Sequence, residues 1–180
     1  LDRFPADSLR YALSLNLPEA KDSDFYWKDF QARNNNELAD ILGNFVNRTF
    51  HFVKKNFDGK VPPAGAETEA DKAFFKELMD ARDAIASNYE RFRFRDGVTA
   101  TMNLARICNK YFNDQEPWKT FKSDPERCGA TLNNCLQAIA GMSILFEPVI
   151  PFSATKMSQM LNLDGSPAIT WQNAIGKHLI

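Results

Sequence analysis

The sequence predicts an all-α fold, an antiparallel helix bundle. Apolar residues recur at steps of three and four along most of the chain, and no stretch alternates convincingly with period two. Proline, glycine and Asx residues interrupt this pattern at intervals of helix length. The connections left between the helical segments are short, as in bundles whose successive helices run antiparallel.

Pro5-Ala6-Asp7-Ser8 opens a short helix that runs to about Asn16, and Pro18 ends it. Ser23 or Asp24 is placed to cap the next helix. That helix carries Phe30, Leu38, Leu42, Phe45, Thr49 and Val53 on its apolar side, and Asn34-Asn35-Asn36 marks a point where it can bend. Unbroken to Lys55, it would be about 48 Å long at ~1.5 Å per residue. Phe57-Asp58-Gly59 stops it, and Pro62-Pro63-Ala64-Gly65 makes a loop. Thr68-Glu69-Ala70-Asp71 resembles a capping box. Phe74, Leu78, Ala81, Ile85 and Tyr89 follow at helical spacing. After Asp96-Gly97 come Val98, Met102, Ala105, Cys108 and Phe112. Asp124-Pro125 starts a helix with Leu132, Cys135, Ile139, Met142 and Phe146 inward. Pro148 and Pro151 break it, and a last helix covers roughly Pro151 to Leu161. From Asn162 the tail, with Gly165, Pro167, Trp171 and Gly176, reads as irregular.

The chain has 180 residues, 44% hydrophobic and 25% charged, enough to bury a substantial core. A net charge of −1 offers no global attraction to nucleic acid or membranes, so any polyanion site must be a local patch. No apolar run reaches membrane-span length. The three cysteines, Cys108, Cys128 and Cys135, form no CxxC pair. Without a secretory leader they are expected to be buried free thiols in a reducing, cytoplasmic setting. On the same ground Asn47-Arg48-Thr49 is set aside as a glycosylation site.

Nothing in the sequence builds a catalytic constellation. His51 and His178 are far apart, and there is no HExxH, no glycine-rich phosphate loop, no GxSxG and no metal-ligand spacing. Glu67/Glu69 and Asp80/Asp83 read as solvated helix faces. The expectation is therefore no catalytic residue and no metal site.

Two features carry more information. Asn44, Arg48, His51 and Lys55 follow at steps of four, three and four, forming one polar stripe. Such a stripe is ordinarily a solvated face. It also suits a hydrogen-bonding rail, with an amide that both donates and accepts and a planar guanidinium fork matched to base edges and phosphates. Trp118 follows Pro117 directly. A tryptophan is usually a core anchor. A proline beside it fixes the backbone, however, so an exposed indole there would be a stiff stacking platform.

"DFQARNNNELADILGNFVNRTFHFVKKNFDGKVP", together with "YFNDQEPWK", resembles the C-terminal part of the methionyl-tRNA synthetase family. "LDRFPADSLRYAL" resembles the segment after the KMSKS loop of class I synthetases. The resemblance runs from Leu1 to about Ile180. It implies a bundle of the class I aminoacyl-tRNA synthetase anticodon-binding type that reads the CAU anticodon of tRNA(Met). It implies that Trp118, beside Pro117, stacks on the first anticodon base, and that Asn44 and Arg48 contact anticodon bases. Lys55 and Lys119 are candidate phosphate contacts. The family often has an acidic residue between the aromatic and the PW pair; Asn113 and Asp114 stand there in this chain, and the resemblance assigns that part to neither.

The resemblance divides the chain into residues 1–22, a remnant following the KMSKS loop; residues 23–162, the anticodon-binding bundle; and residues 163–180, a tail expected to continue further. Lys156-Met157-Ser158-Gln159-Met160 imitates a KMSKS loop but lies in a helix, with Met157, Met160 and Leu161 free to face the core. The parent enzyme would join methionine to tRNA through methionyl-adenylate. ATP with magnesium, and zinc in a connective insert, would be held by a catalytic domain of the same chain that is not among these 180 residues. The bundle alone is then expected to bind tRNA, with no DNA or membrane partner, and to be inactive. The rival readings are the equivalent bundle of another class I synthetase, and a helical protein-interaction scaffold with Trp118 buried.

Overall fold

The structure is a computed structural model that describes residues 3–19, 22–163 and 169–180. Leu1 and Asp2, and Gly165 and Pro167 of the expected irregular tail, lie outside the described residues. Among the described residues the regular elements are all helical: α1 Ala6–Leu15, α2 Trp27–Arg33, α3 Asn44–Asn56, α4 Glu69–Glu90, α5 Phe94–Asp114, α6 Pro117–Ser123, α7 Pro125–Leu145 and α8 Pro151–Met160. Asn34–Gly43 joins α2 to α3 as a wider helix with i→i+5 hydrogen bonding. No helix of the structure is long and apolar enough to cross a membrane.

α7 is the axis of the bundle. Cys128 through Ser143 are all buried, because the helix is wrapped on every side. The inward set Leu132, Cys135, Ile139, Met142 and Phe146 is buried as its spacing predicts. The opposite face is covered too, by the 57–65 loop and by residues 174–180. Its polar side chains are accordingly bonded: Asn133 donates to the Pro62 carbonyl at 2.7 Å, and the Gln137 amide oxygen accepts the Leu179 N–H at 2.7 Å. The last stretch of chain is thus irregular but packed, with Ala174 and Ile175 buried against α7. All three cysteines are free and buried.

α4 and α5 pair as a hairpin across a three-residue turn. Thr68 caps α4 with a full capping box, its hydroxyl accepting from the Asp71 N–H while Asp71 accepts from the Thr68 N–H. Asp124 caps α7, and Pro125 is its first residue. The start of α8 is held from a distance, as Asp7 on α1 accepts from the Ser153 N–H and hydroxyl, both at 2.6 Å.

Four expectations change. Neither Ser23 nor Asp24 caps α2: the Ser23 hydroxyl donates to the Asn16 carbonyl, Asp24 accepts from the Tyr26 hydroxyl at 3.2 Å, and α2 starts at Trp27. α5 starts at Phe94, so Gly97 lies inside its first turns rather than before it. The glycine is there because the Tyr89 ring crosses so closely that a Cβ would meet it at 2.7 Å. The PW pair reads from the sequence as borne on a turn, but Pro117 begins a short helix. In α8 Met157 is buried, but Met160, the last residue of the helix, is exposed.

Candidate nucleic-acid interface

α3 carries the polar stripe on one side and Phe45, Thr49 and Val53 on the other, all three buried. Asn44, His51 and Lys55 are exposed. Arg48 is half-buried and differs from its neighbours in what it touches. Its guanidinium carbon lies 4.4 Å from the centre of the Phe112 ring, a cation–π distance. Its Nη2 donates to the Asn113 side-chain oxygen at 2.8 Å. Its Nε is buried with no hydrogen-bond partner among the described residues. Burial lowers the proton affinity of the guanidinium, but it keeps its charge at neutral pH.

The other half of the face comes from the α5–α6 corner. Gln115 ends α5, and Glu116 adopts the left-handed conformation, with φ 43° and ψ 57°. Pro117 then occupies the first position of α6 and is buried, where its missing N–H costs nothing. The corner turns Trp118 outward: 44% of its surface is exposed. Its ring centre is 6.2 Å from that of Phe112, tilted by 39°. Phe112, fully in the core, therefore supports both the Arg48 guanidinium and the Trp118 indole. Lys119 is exposed and pairs with Glu116 at 2.7 Å, a surface pair of small energetic weight.

The structure thus brings Arg48, Pro117 and Trp118 to one face through Phe112, with Asn44 one turn earlier on α3. Lys55 lies about three turns further along α3 than Asn44 and touches none of this cluster. Of the pair left open by the sequence, Asn113 meets Arg48, while Asp114 turns to Lys110 at 2.6 Å. The bridging role of Phe112 escaped the sequence reading. Its spacing marks it as core, and nothing in a core pattern says which surface side chains rest on it.

The arrangement is open rather than enclosed. A cleft of about 730 Å³ lies elsewhere, among Leu17, Tyr89, Phe94, Val149 and Trp171, and another of about 720 Å³ lies among Pro5, Leu42, Ile150 and Met160. Neither includes Arg48 or Trp118. A flat exposed indole beside a planar cation suits a planar ligand that arrives from solvent. Among the described residues no group of three or more His, Cys, Asp or Glu could hold a metal ion.

Residues 61–179 match the family model described as the anticodon binding domain of methionyl tRNA ligase. The chain belongs to this family. Residues 1–50 match a second model, tRNA synthetases class I (M). The methionine–tRNA ligase of Bacteroides fragilis is 52% identical over 91% of this chain, and that of Salinibacter ruber is 45% identical over 96%. The chain spans about a quarter of their length, 24% and 26%. A solved structure of Mycobacterium tuberculosis methionyl-tRNA synthetase bound by methionyl-adenylate superposes with a TM-score of 0.83. It is 27% identical, and the match covers 98% of this chain and 35% of that one. Within this anticodon-binding domain, the face built by α3 and the α5–α6 corner sets an exposed indole and a guanidinium against one buried ring, Phe112.

Proposed function

We propose that this bundle reads the CAU anticodon of tRNA(Met) on behalf of a methionine–tRNA ligase. The observation that carries the reading is the joint placement of Trp118 and Arg48 on Phe112: an exposed ring that can stack a base, next to a fork that can address its edge. Trp118 stacks the first anticodon base. Arg48 and Asn44 contact base edges, and Lys55 and Lys119 lie outside this cluster as phosphate contacts. Asn113 holds the Arg48 fork in the free protein. The ligase chemistry, in which methionine passes through an adenylate made from ATP with magnesium, belongs on this reading to the remainder of the parent enzyme, as does the zinc site. The residues described here contribute tRNA selection and no bond-making step.

A helical interaction scaffold would hold Trp118 in its core, and the 44% exposure of that residue speaks for the RNA reading instead. The test is a gel shift with tRNA(Met) and a single-base anticodon variant, using wild type and Arg48→Ala. A good bidentate base contact is worth about 1–3 kcal/mol of discrimination, so Arg48→Ala should narrow the gap between the two RNAs about five- to 150-fold. Equal losses for both RNAs would mean that Arg48 touches only phosphate, and no preference by wild type would reject anticodon reading.

A further inference from the structure

The candidate face rests on a polar network that anticodon recognition does not itself require. Arg127, in the first turn of α7, reaches across to Asp71 at the start of α4 and grips its carboxylate with both terminal nitrogens, at 2.6 and 2.7 Å. Asp71 also accepts from the Tyr111 hydroxyl at 2.5 Å and from the Thr68 N–H at 2.8 Å. Asn134 on α7 donates to the same hydroxyl at 2.9 Å, and the Tyr111 ring stacks on Phe74. Asp71 is buried and Arg127 nearly so, which makes this a fixed point tying α4, α5 and α7 together. One bond leads out of it toward the surface: Arg127 Nη2 donates to the Gln115 side-chain oxygen at 2.9 Å.

Gln115 is the residue immediately before the left-handed Glu116, and Glu116 is what turns Trp118 outward. A non-glycine residue in that conformation persists only where its surroundings over-determine it. The backbone bonds of the corner are those any helix end would have: Glu116 N–H to Asn113, and Lys119 N–H back to Glu116. The Thr120 hydroxyl and the Cys128 thiol also reach carbonyls of the corner, at Glu116 (3.1 Å) and Pro117 (3.5 Å), and the Gln115–Arg127 bond is the constraint that anchors the corner to a buried ion pair.

We propose that Gln115 and Arg127 are positioning residues for Trp118: the Asp71–Arg127 pair holds the Gln115 amide, which locks the Glu116 corner and fixes the direction of the indole. The proposal rests on the reading of Trp118 as the nucleobase platform. Gln115 is the informative position because it is only half-buried and its loss leaves the ion pair intact. Gln115→Ala removes the acceptor. Gln115→Glu keeps an acceptor for Arg127 and should restore the lock.

Both substitutions are made in the 180-residue chain carrying Trp27→Phe and Trp171→Phe, which leaves Trp118 as the sole tryptophan among those residues. Time-resolved fluorescence anisotropy without RNA reads the indole directly, and affinity for an anticodon stem-loop with the CAU sequence reads the consequence. Gln115→Ala should show a larger fast depolarisation of Trp118 and about three- to tenfold weaker binding, a fraction of the loss expected from removing the stacking ring itself. Gln115→Glu should return both toward the parent, with the denaturation midpoint nearly constant across the series. An indole equally rigid in Gln115→Ala overturns the proposal, whether binding is retained or lost. A loosened indole with unchanged binding upholds the lock and rejects Trp118 as the platform instead.

Discussion

Removing the indole of Trp118 separates stability from binding, because the structure leaves the ring about half in and half out of the protein. A tryptophan buries roughly 150–250 Å² when fully packed. With 44% of the residue exposed, roughly 85–140 Å² is withdrawn from water. At ~25 cal/mol per Å², that is about 2–3.5 kcal/mol as a ceiling, and residual burial in the unfolded chain brings it to about 2. A fully buried tryptophan truncated to alanine would cost ~3–5 kcal/mol. Binding should respond differently, since each stacked base is worth ~1–3 kcal/mol, or about a five- to 150-fold loss of affinity. Trp118→Phe should keep part of both terms, because a smaller ring can still pack against Phe112 and still presents a π face. The assay is a denaturant midpoint together with the affinity of the folded fraction for an anticodon stem-loop. A stability loss above ~4 kcal/mol with unchanged affinity would refute the reasoning and make Trp118 a core anchor.

Two further perturbations address what holds the face in place. Burial by itself would raise the Asp71 carboxyl, but bonds from Arg127, Tyr111 and Thr68 outweigh it and hold the group well below the usual carboxylate range. A depressed folded-state value means stability present above the unfolded value of about 3.9 and lost as pH falls toward the folded one. Asp71→Asn should therefore cost about 3–5 kcal/mol at pH 7, by stranding Arg127, and the gap from wild type should shrink below about pH 4 in denaturant titrations at successive pH values. Gly141→Ala would drive a methyl group into the Ala174 carbonyl oxygen, so the 169–180 stretch should lift from α7. About 1–3 kcal/mol of stability should go with it, together with faster proteolytic cleavage of that stretch.

The fold was legible where one residue's role is set by near neighbours in sequence. The capping box at Thr68, the proline starts at Pro125 and Pro151, and the buried rows along α4 and α7 all follow from local spacing. Expectations failed where a distant group decided the matter. Ser23 is a good cap in isolation, but the Asn16 carbonyl claims its hydroxyl. Gly97 looks like a helix start, but it is a point of close approach for Tyr89. α6 is too short to show a period, and the partnership of Asp71 with Arg127 joins two helix starts 56 residues apart, which no local spacing shows. The candidate site was half legible for the same reason. Asn44, Arg48, Pro117 and Trp118 carry their chemistry visibly, but the side chains that align them do not.

α5 explains how the two halves of the face come into register. Arg106, Asn109 and Asn113 follow at steps of three and four, so they share one side of that helix. Arg106 donates to Glu37 at 2.7 Å, beside the Tyr11 hydroxyl bonded to the same carboxylate at 2.8 Å. Asn109 donates to the Ile41 carbonyl at 2.7 Å. Asn113 receives Arg48. The first two contacts grip the i→i+5 segment, whose wider winding sets the rotation with which α3 emerges at Asn44. The third meets α3 one turn after it emerges. A helix rotated by one residue would swing Arg48 by about 100° and off the Phe112 ring. The run of asparagines at Asn34–Asn36 hinted only at a weak point. The side chains of α5 turn that weak point into a fixed offset, and α5 also ends in the corner that presents Trp118. Both the cation and the platform are thus set from one helix, so their spacing is a property of α5 and not of two independently placed elements.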